Sequence, residues 1–282
     1  MPERVRRLRA ERAEPLHRAL ASALKRDEVE SLVRAGQVFV DGHRARDPQM
    51  ALPVGARILV HPRPADPIPE IPILFEDEAW LVVSKPSGVA VSATETSAAE
   101  TVEEHFSDRD ARVVHRLDRG TTGVLVLGKG TAAAAELSRA FADRRVEKRY
   151  EALVEGQPPD GWVKAALGPD KRRPRAQRVH PSGKAAETEL KTLATRDGLA
   201  WVEARPRTGR THQIRVHLAH LGAPILGDVL YGGPTAVRLA GEICRLERPL
   251  LHAAALTLPG ERRFEVEPPE DFASLVRAMP VC

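Results

Sequence analysis

Apolar residues recur along this chain with two different periods, and the switch between them outlines its elements. In PLHRALASAL, 15–24, Leu16, Leu20 and Leu24 fall one helical turn apart. DEVESLVRAG predicts a second helix, with Asp27 and Glu30 spaced as a capping box and Gly36 as its stop. The pattern then alternates: QVFV-DG-HRAR predicts a hairpin turning at Asp41-Gly42, and ARILV, 56–60, a closing strand after Pro53 and Gly55. HPRPADPIPEIP, 61–72, carries five prolines in twelve residues and predicts an extended linker.

Beyond the linker the apolar runs are short and rich in β-branched residues: AWLVV (79–83), GVLVL (123–127), YEALV (150–154) and AWVEA (200–204) predict strands, with Tyr150 at a strand entrance. TAAAAELSRAFADRR (131–145) and HQIRVHLAHLG (212–222) predict helices. Strands and helices do not alternate regularly, so the fold class expected is α+β rather than a doubly wound α/β sheet. The organisation expected is a basic tail over 1–14, a small α/β module over 15–60, a Pro-rich linker over 61–70 and one large domain over 71–282. No internal repeat is visible.

Composition narrows the classes. No apolar run approaches the ~18 residues of a membrane span. The N-terminus is basic without an apolar core, which excludes a secretory signal and leaves a cytoplasmic location as the expectation. Cys244 and Cys282 match neither a disulfide framework nor a zinc spacing, and His217 and His220 are joined by no acidic or Cys partner, so no metal site is expected. The net charge is +4, with Arg outnumbering Lys 35 to 8. Arg forks suit phosphate, but the absence of Asn points to a compositional bias toward Arg, so the placement of the cations has to carry the argument. Segment 168–188 gathers Lys171, Arg172, Arg173, Arg175, Arg178 and Lys184 among three prolines. It reads either as a solvated loop or as an arm gripping phosphates, without aromatics for base stacking.

Some motif matches fail on chemistry. Gly123-VLVL-Gly128-Lys129 has the spacing of a phosphate-binding loop, yet Gly130 stands where a magnesium-binding hydroxyl belongs. HRLD, 115–118, lacks the downstream Asn that a kinase needs, and no GxSxG elbow exists. What remains is Asp118, between Arg116 and Arg119 and followed by a Gly-Thr-Thr-Gly turn and an apolar strand. A carboxylate among cations suits a nucleophile or a base better than a general acid; the same pattern also fits a structural ion pair. Tyr150, beside Lys148 and Arg149, suits stacking on a base and equally well an aromatic at the edge of the core. Arg205, Arg207, Arg210 and Arg215 crowd a Thr-Gly turn, and RPLLHAAALTLP, 248–259, could wall a flat pocket.

Together these segments resemble the RluA-type pseudouridine synthases over nearly the whole chain. IPILFEDEAWLVVSKPSGVAV (71–91) resembles the family's opening strand and Lys-Pro turn, HRLDRGTTG its central signature, RRVEKRYEALVEG its tyrosine segment, and TGRTHQIRVHLAHLGAPILGDVLYG its third motif. Gly120 stands where the family often has an acidic residue, Thr122 where Ser is frequent, and His115 where the sister small-subunit branch more often has Gly. Residues 15–60 resemble the S-four RNA-binding module, with KRDEVES replacing the usual basic start of its second helix. The resemblance implies a mixed, largely antiparallel catalytic sheet and isomerisation of uridine in structured RNA, ribosomal or transfer, without cofactor or metal. It implies Asp118 as the catalytic residue, Tyr150 stacked on the flipped uracil, Arg215 paired with Asp118, Arg116 filling the vacated stack, and Leu251 under the base. Arg210 and the arm residues Lys171, Arg172, Arg173 and Arg175 complete the expected substrate-binding set. The competing reading is a non-catalytic RNA-binding protein on the same fold.

Overall fold

The computed structural model describes residues 6–21, 24, 26–41, 43–61, 68–92, 100–239 and 241–279. The chain forms two compact units, one of residues 1–70 with 89–109 and one of residues 71–88 with 110–282.

In the first unit a four-stranded sheet runs in the order Arg6–Arg9, Arg57–Val60, Val38–Val40, His43–Arg44. Helices Leu16–Leu20 and Arg26–Arg34 supply Leu16, Leu20, Val29 and Val33 to a core shared with Val38 and Ile58. Two sequence expectations change here. Residues 6–9 are not tail: they pair antiparallel with 57–60, and Leu8 packs on the core, so a single apolar anchor and an open strand edge suffice to recruit an Arg-rich segment. The second helix starts at Arg26, which puts Asp27 inside it rather than at its cap. The side chain of Asp27, the turn residue Gly42 and the linker residues 62–67 lie outside what is described.

Segment 89–109, expected within the large domain, groups with this first unit. The reason is electrostatic as well as local. Helix Val102–His105 is closed by a reciprocal capping box between Thr101 and Glu104. Glu104 also faces Arg44 at 3.4 Å, both side chains largely buried, and its carbonyl accepts from Arg46.

The second unit is built on a ten-stranded sheet. Its main path runs Gly161–Lys164, Glu187–Arg196, Leu199–Pro206, Glu147–Glu155, Leu251–Leu258, Thr122–Lys129, Trp80–Lys85, Ile73–Glu76. All these pairings are antiparallel except one: Thr122 and Gly123 lie parallel to His252 and Ala253. The sheet is therefore mixed and largely antiparallel, as the resemblance implied.

That single parallel junction joins two halves of the sheet, and its residues show how. Gly123 has φ +119°, and a Cβ there would collide with the backbone of Ala253, so only glycine admits this approach. Beside it the Thr122 hydroxyl meets His252 Nδ1 at 2.8 Å, while His252 Nε2 faces the Val266 carbonyl at 2.9 Å. A carbonyl only accepts, so Nε2 carries the proton and Nδ1 accepts from the hydroxyl. Burial lowers the His252 pKa to about 4, which keeps this arrangement neutral.

Helix Gly130–Ala142 buries Leu137 and Ala140 against Val124 and Val126. Helix Gln213–His220 is almost wholly buried and packs Ile214 and Leu218 on Ala152, Val202 and Leu251. No helix among the described residues is long and apolar enough to cross a membrane.

Candidate active site

The parallel junction delivers the turn that carries Asp118. Thr121 N–H closes it onto the Asp118 carbonyl at 3.0 Å, and the buried strand Thr122–Lys129 fixes it from below. From the other half of the sheet, helix Gln213–His220 brings Arg215. Its Nη1 donates to Asp118 Oδ2 at 3.0 Å, while Nε and Nη2 donate to Asp228 at 2.6 and 2.8 Å. Asp228 is 1% exposed, so one buried carboxylate holds the guanidinium fork bidentately while another, at the surface of the site, shares it. Burial alone would lower the Arg215 pKa; the hydrogen bonds and charges of Asp228 and Asp118 outweigh it and raise it.

The helix that carries Arg215 is itself pinned by a polar ladder. Gln213 Oε1 accepts from the Thr208 hydroxyl and the Arg210 N–H, and its Nε2 donates to the Glu187 carbonyl and the Thr188 hydroxyl oxygen. Thr188 in turn meets His217 Nδ1 at 2.9 Å, and His217 Nε2 faces the Ala165 carbonyl at 3.1 Å. All four hydrogen-bonding positions of the Gln213 amide are used, which fixes the helix against the sheet edge without an unsatisfied group.

Tyr150 lies within the strand Glu147–Glu155, not at its entrance. The register against Leu251–Leu258 slips between Arg149 and Tyr150, leaving Ala254 as the extra residue, and such bulges re-aim side chains. The ring packs in one cluster with Leu251 and Ile214. Burial raises its pKa, and the Asp118 charge adds to the rise, so the phenol stays protonated.

Lys85 ends its strand fully buried, and its ammonium donates to the carbonyls of Pro86 at 2.8 Å and Arg119 at 3.3 Å. Burial lowers its pKa to about 7, Asp118 opposing and Arg248 and Arg119 reinforcing the fall. His212, at the helix start with φ +56°, places Nε2 3.9 Å from Asp118 Oδ1 and Nδ1 2.7 Å from the Tyr231 hydroxyl.

Of the sequence-predicted set, Asp118, Arg215, Tyr150 and Leu251 belong to this one neighbourhood. Arg116 is exposed beside it, close enough for its charge to bear on His212. Arg210 turns aside, its Nε donating to the Ala185 carbonyl. The arm is more regular than its prolines suggest: Leu167–Pro169 pairs with Gln177–Val179, and Ala176 is buried. Lys171, Arg172, Arg173 and Arg175 are exposed on that hairpin, but Arg173 is already engaged by Asp170 and the Leu230 carbonyl. Sequence reasoning assigned no role to Lys85, Asp228, His212 or Tyr231. Each lies in a segment quoted for the resemblance, but nothing in those words distinguishes a buried neighbour of Asp118 and Arg215 from a turn residue. Among the described residues no cluster of three potential metal ligands exists.

A carboxylate fixed by a buried Arg, near a Tyr ring packed against an apolar wall, defines a site for a flat ring on an electrostatically preorganised centre. Comparison agrees with that class. Residues 79–220 match the family model described as RNA pseudouridylate synthase. The chain is 32% identical to ribosomal large subunit pseudouridine synthase D of Zymomonas mobilis, over 94% of this chain and 93% of that one. It is 38% identical to the dual-specificity RNA pseudouridine synthase RluA of Escherichia coli, over 67% of this chain and 87% of that one. The solved structure of human RNA pseudouridylate synthase domain containing 1 matches with a TM-score of 0.60 and 30% identity, over 77% of this chain and 91% of that one. The chain belongs to the RluA-type RNA pseudouridine synthases, isomerases that act on RNA.

Proposed function

We propose that this protein converts a uridine in ribosomal RNA to pseudouridine with Asp118 as its catalytic residue. In this reaction the bond from ribose C1′ to uracil N1 breaks, the ring turns, C1′ joins C5, the C5 proton leaves and N1 takes up a proton. The base must leave its helix first, at a cost of a few kcal/mol. Arg116, exposed at the rim, would fill the gap, and Tyr150 and Leu251 would hold the flipped uracil between ring and aliphatic wall. As a protonated phenol, Tyr150 serves as a stacking surface and hydrogen-bond partner rather than as a phenolate base.

The observation that carries the reading is the chain Asp228–Arg215–Asp118. Arg215 donates to Oδ2 of Asp118, while Oδ1 has His212 Nε2 at 3.9 Å, beyond hydrogen-bond reach, and an oxygen outside the arginine's grip is what a nucleophile or base needs. Ribosomal RNA is favoured over transfer RNA because the relative named for the ribosomal large subunit aligns along 94% of this chain, whereas the dual-specificity relative aligns along 67%. The N-terminal unit, with its S-four resemblance, would add a second grip on so large an RNA.

The test is carbodiimide-based mapping of pseudouridine on ribosomal and transfer RNA from a deletion strain, complemented by wild type or by Asp118→Asn. One ribosomal position should lose its signal on deletion and regain it only with wild type. Residual turnover by Asp118→Asn within tenfold of wild type would sink the assignment, because a lost nucleophile costs far more than ~1.4 kcal/mol of barrier.

A further inference from the structure

We infer that His212 is a positioning residue for Asp118, its tautomer set by Tyr231, and that this pair ties the basic hairpin 167–179 to the reactive carboxylate. The inference rests on the assignment of Asp118 as the catalytic residue.

The hydrogen-bond geometry leads to it in three steps. Tyr231 is 9% exposed and its hydroxyl oxygen accepts the backbone N–H of Gln177 at 2.9 Å. The same hydroxyl lies 2.7 Å from His212 Nδ1. If Nδ1 carried the proton, the phenol hydrogen would be buried with no acceptor, which is costly. The phenol therefore donates to Nδ1, and the imidazole proton resides on Nε2.

That Nε2–H points toward Asp118 Oδ1 at 3.9 Å, the oxygen that Arg215 leaves open. The distance is too long for a direct hydrogen bond, so the imidazole sets the polarity on that side of the carboxylate without occupying it. The groups facing His212 are Asp118, Arg215, Asp228, Arg116 and Tyr231; burial, the strongest influence, keeps the ring neutral. A neutral donor favours the carboxylate in one rotamer and leaves its lone pair available, whereas an imidazolium would compete for it.

The other end of the pair is the hairpin. Gln177 opens its second strand, and Arg173 from its tip lies 6.0 Å from the Tyr231 ring, with Arg215 4.9 Å from the same ring. Tyr231 is thus in contact with the hairpin backbone, a hairpin cation, the imidazole and the arginine of the site. RNA phosphates that settle the hairpin would settle Tyr231, and through it the imidazole.

The test is a double-mutant cycle on the full chain. His212→Asn keeps a side chain that tolerates positive φ and can still meet Tyr231, but lacks the Nε2–H. Tyr231→Phe keeps the ring and removes the hydroxyl. Each should lower the single-turnover rate at saturating RNA at least tenfold, with RNA affinity within twofold of wild type, and the double variant should fall no further. His212→Gln, which restores a donor at the Nε2 position, should recover part of the rate. Normal rates in the single variants, additive losses, or losses confined to RNA affinity would overturn the inference. Asp118→Asn run alongside separates the two failures: if it is inactive while His212→Asn is normal, only the positioning role is lost.

Discussion

Arg215 is gripped by Asp228 on two nitrogens before it reaches Asp118 with a third. Asp228 and not Asp118 thus decides where the guanidinium plane lies, and the partly exposed carboxylate of Asp118 is oriented through a buried one.

Asp228→Asn should therefore act at a distance. Removing a buried partner of an ion pair costs about 3 kcal/mol, the lower end of the usual range because Arg215 keeps Asp118. Urea unfolding should show that loss. The single-turnover rate should fall by more than tenfold while RNA affinity holds. Full activity in a folded Asp228→Asn protein would mean that Asp118 alone positions Arg215.

The hairpin makes a different kind of prediction. Lys171 and Arg172 are exposed at its tip, and replacing both with Ala should weaken RNA binding and flatten its salt dependence. Each lost contact to single-stranded phosphate should reduce the log–log slope by about 0.7. Arg173→Ala should behave otherwise, since Arg173 already holds Asp170 and the Leu230 carbonyl: it should lower stability as well as affinity. An unchanged slope in the double Ala variant would return the hairpin to ordinary solvated surface.

Lys85 predicts a pH dependence of stability. Its folded pKa is about 7, below the ordinary lysine value, so between pH 7 and 9 the unfolded chain binds more protons than the folded one. Unfolding free energy then rises with pH across that window. Lys148, lowered to about 8 by burial, contributes with the same sign above its own pKa. Lys85→Met should flatten the rise without abolishing it, and should loosen the Asp118 turn by leaving the Arg119 carbonyl with the Gly88 N–H alone. Urea titrations at pH 7, 8 and 9 measure both; an equal slope in wild type and variant would show that Lys85 remains charged when folded.

Removal of residues 1–68 tests the division of labour. Chemistry on a short RNA containing the target should survive, because Asp118, Tyr150, Arg215 and Lys85 all lie in the second unit. Affinity for the full substrate should fall, by up to ~100-fold if a tethered second grip is lost. The shortened chain should also be less stable, since Glu104 loses Arg44 and Arg46. Loss of the single-turnover rate at saturating RNA would place the N-terminal unit in the active site.

Periodicity was sufficient for elements whose core faces are regular. The helix expected over 131–145 is observed at Gly130–Ala142, and the strand over 123–127 at Thr122–Lys129. It failed where pairing partners decide. Arg6–Arg9 has almost no apolar signal, and only the edge offered by Arg57–Val60 makes it a strand. The hairpin at 167–179 hides behind prolines because its buried residues, Leu167 and Ala176, stand too far apart to register as a pattern. In the site, Asp118 stood out as a carboxylate among cations, whereas Arg215 was one of four arginines crowding a turn and was singled out only by the family resemblance. Asp228 drew no attention in the sequence, since a carboxylate buried to satisfy an arginine thirteen positions earlier leaves no periodic trace.

The parallel seam at Thr122–His252 and Gly123–Ala253 has a consequence for how the enzyme comes into being. Its partners are 130 residues apart, so loop-closure entropy delays their meeting until the strands on either side are in place. Asp118 arrives on one side of that seam, and Tyr150 and Arg215 on the other. On the proposed assignment of these three residues, a partly folded chain owns every part of the site without the site itself, and RNA modification should begin only when the polypeptide has closed upon itself.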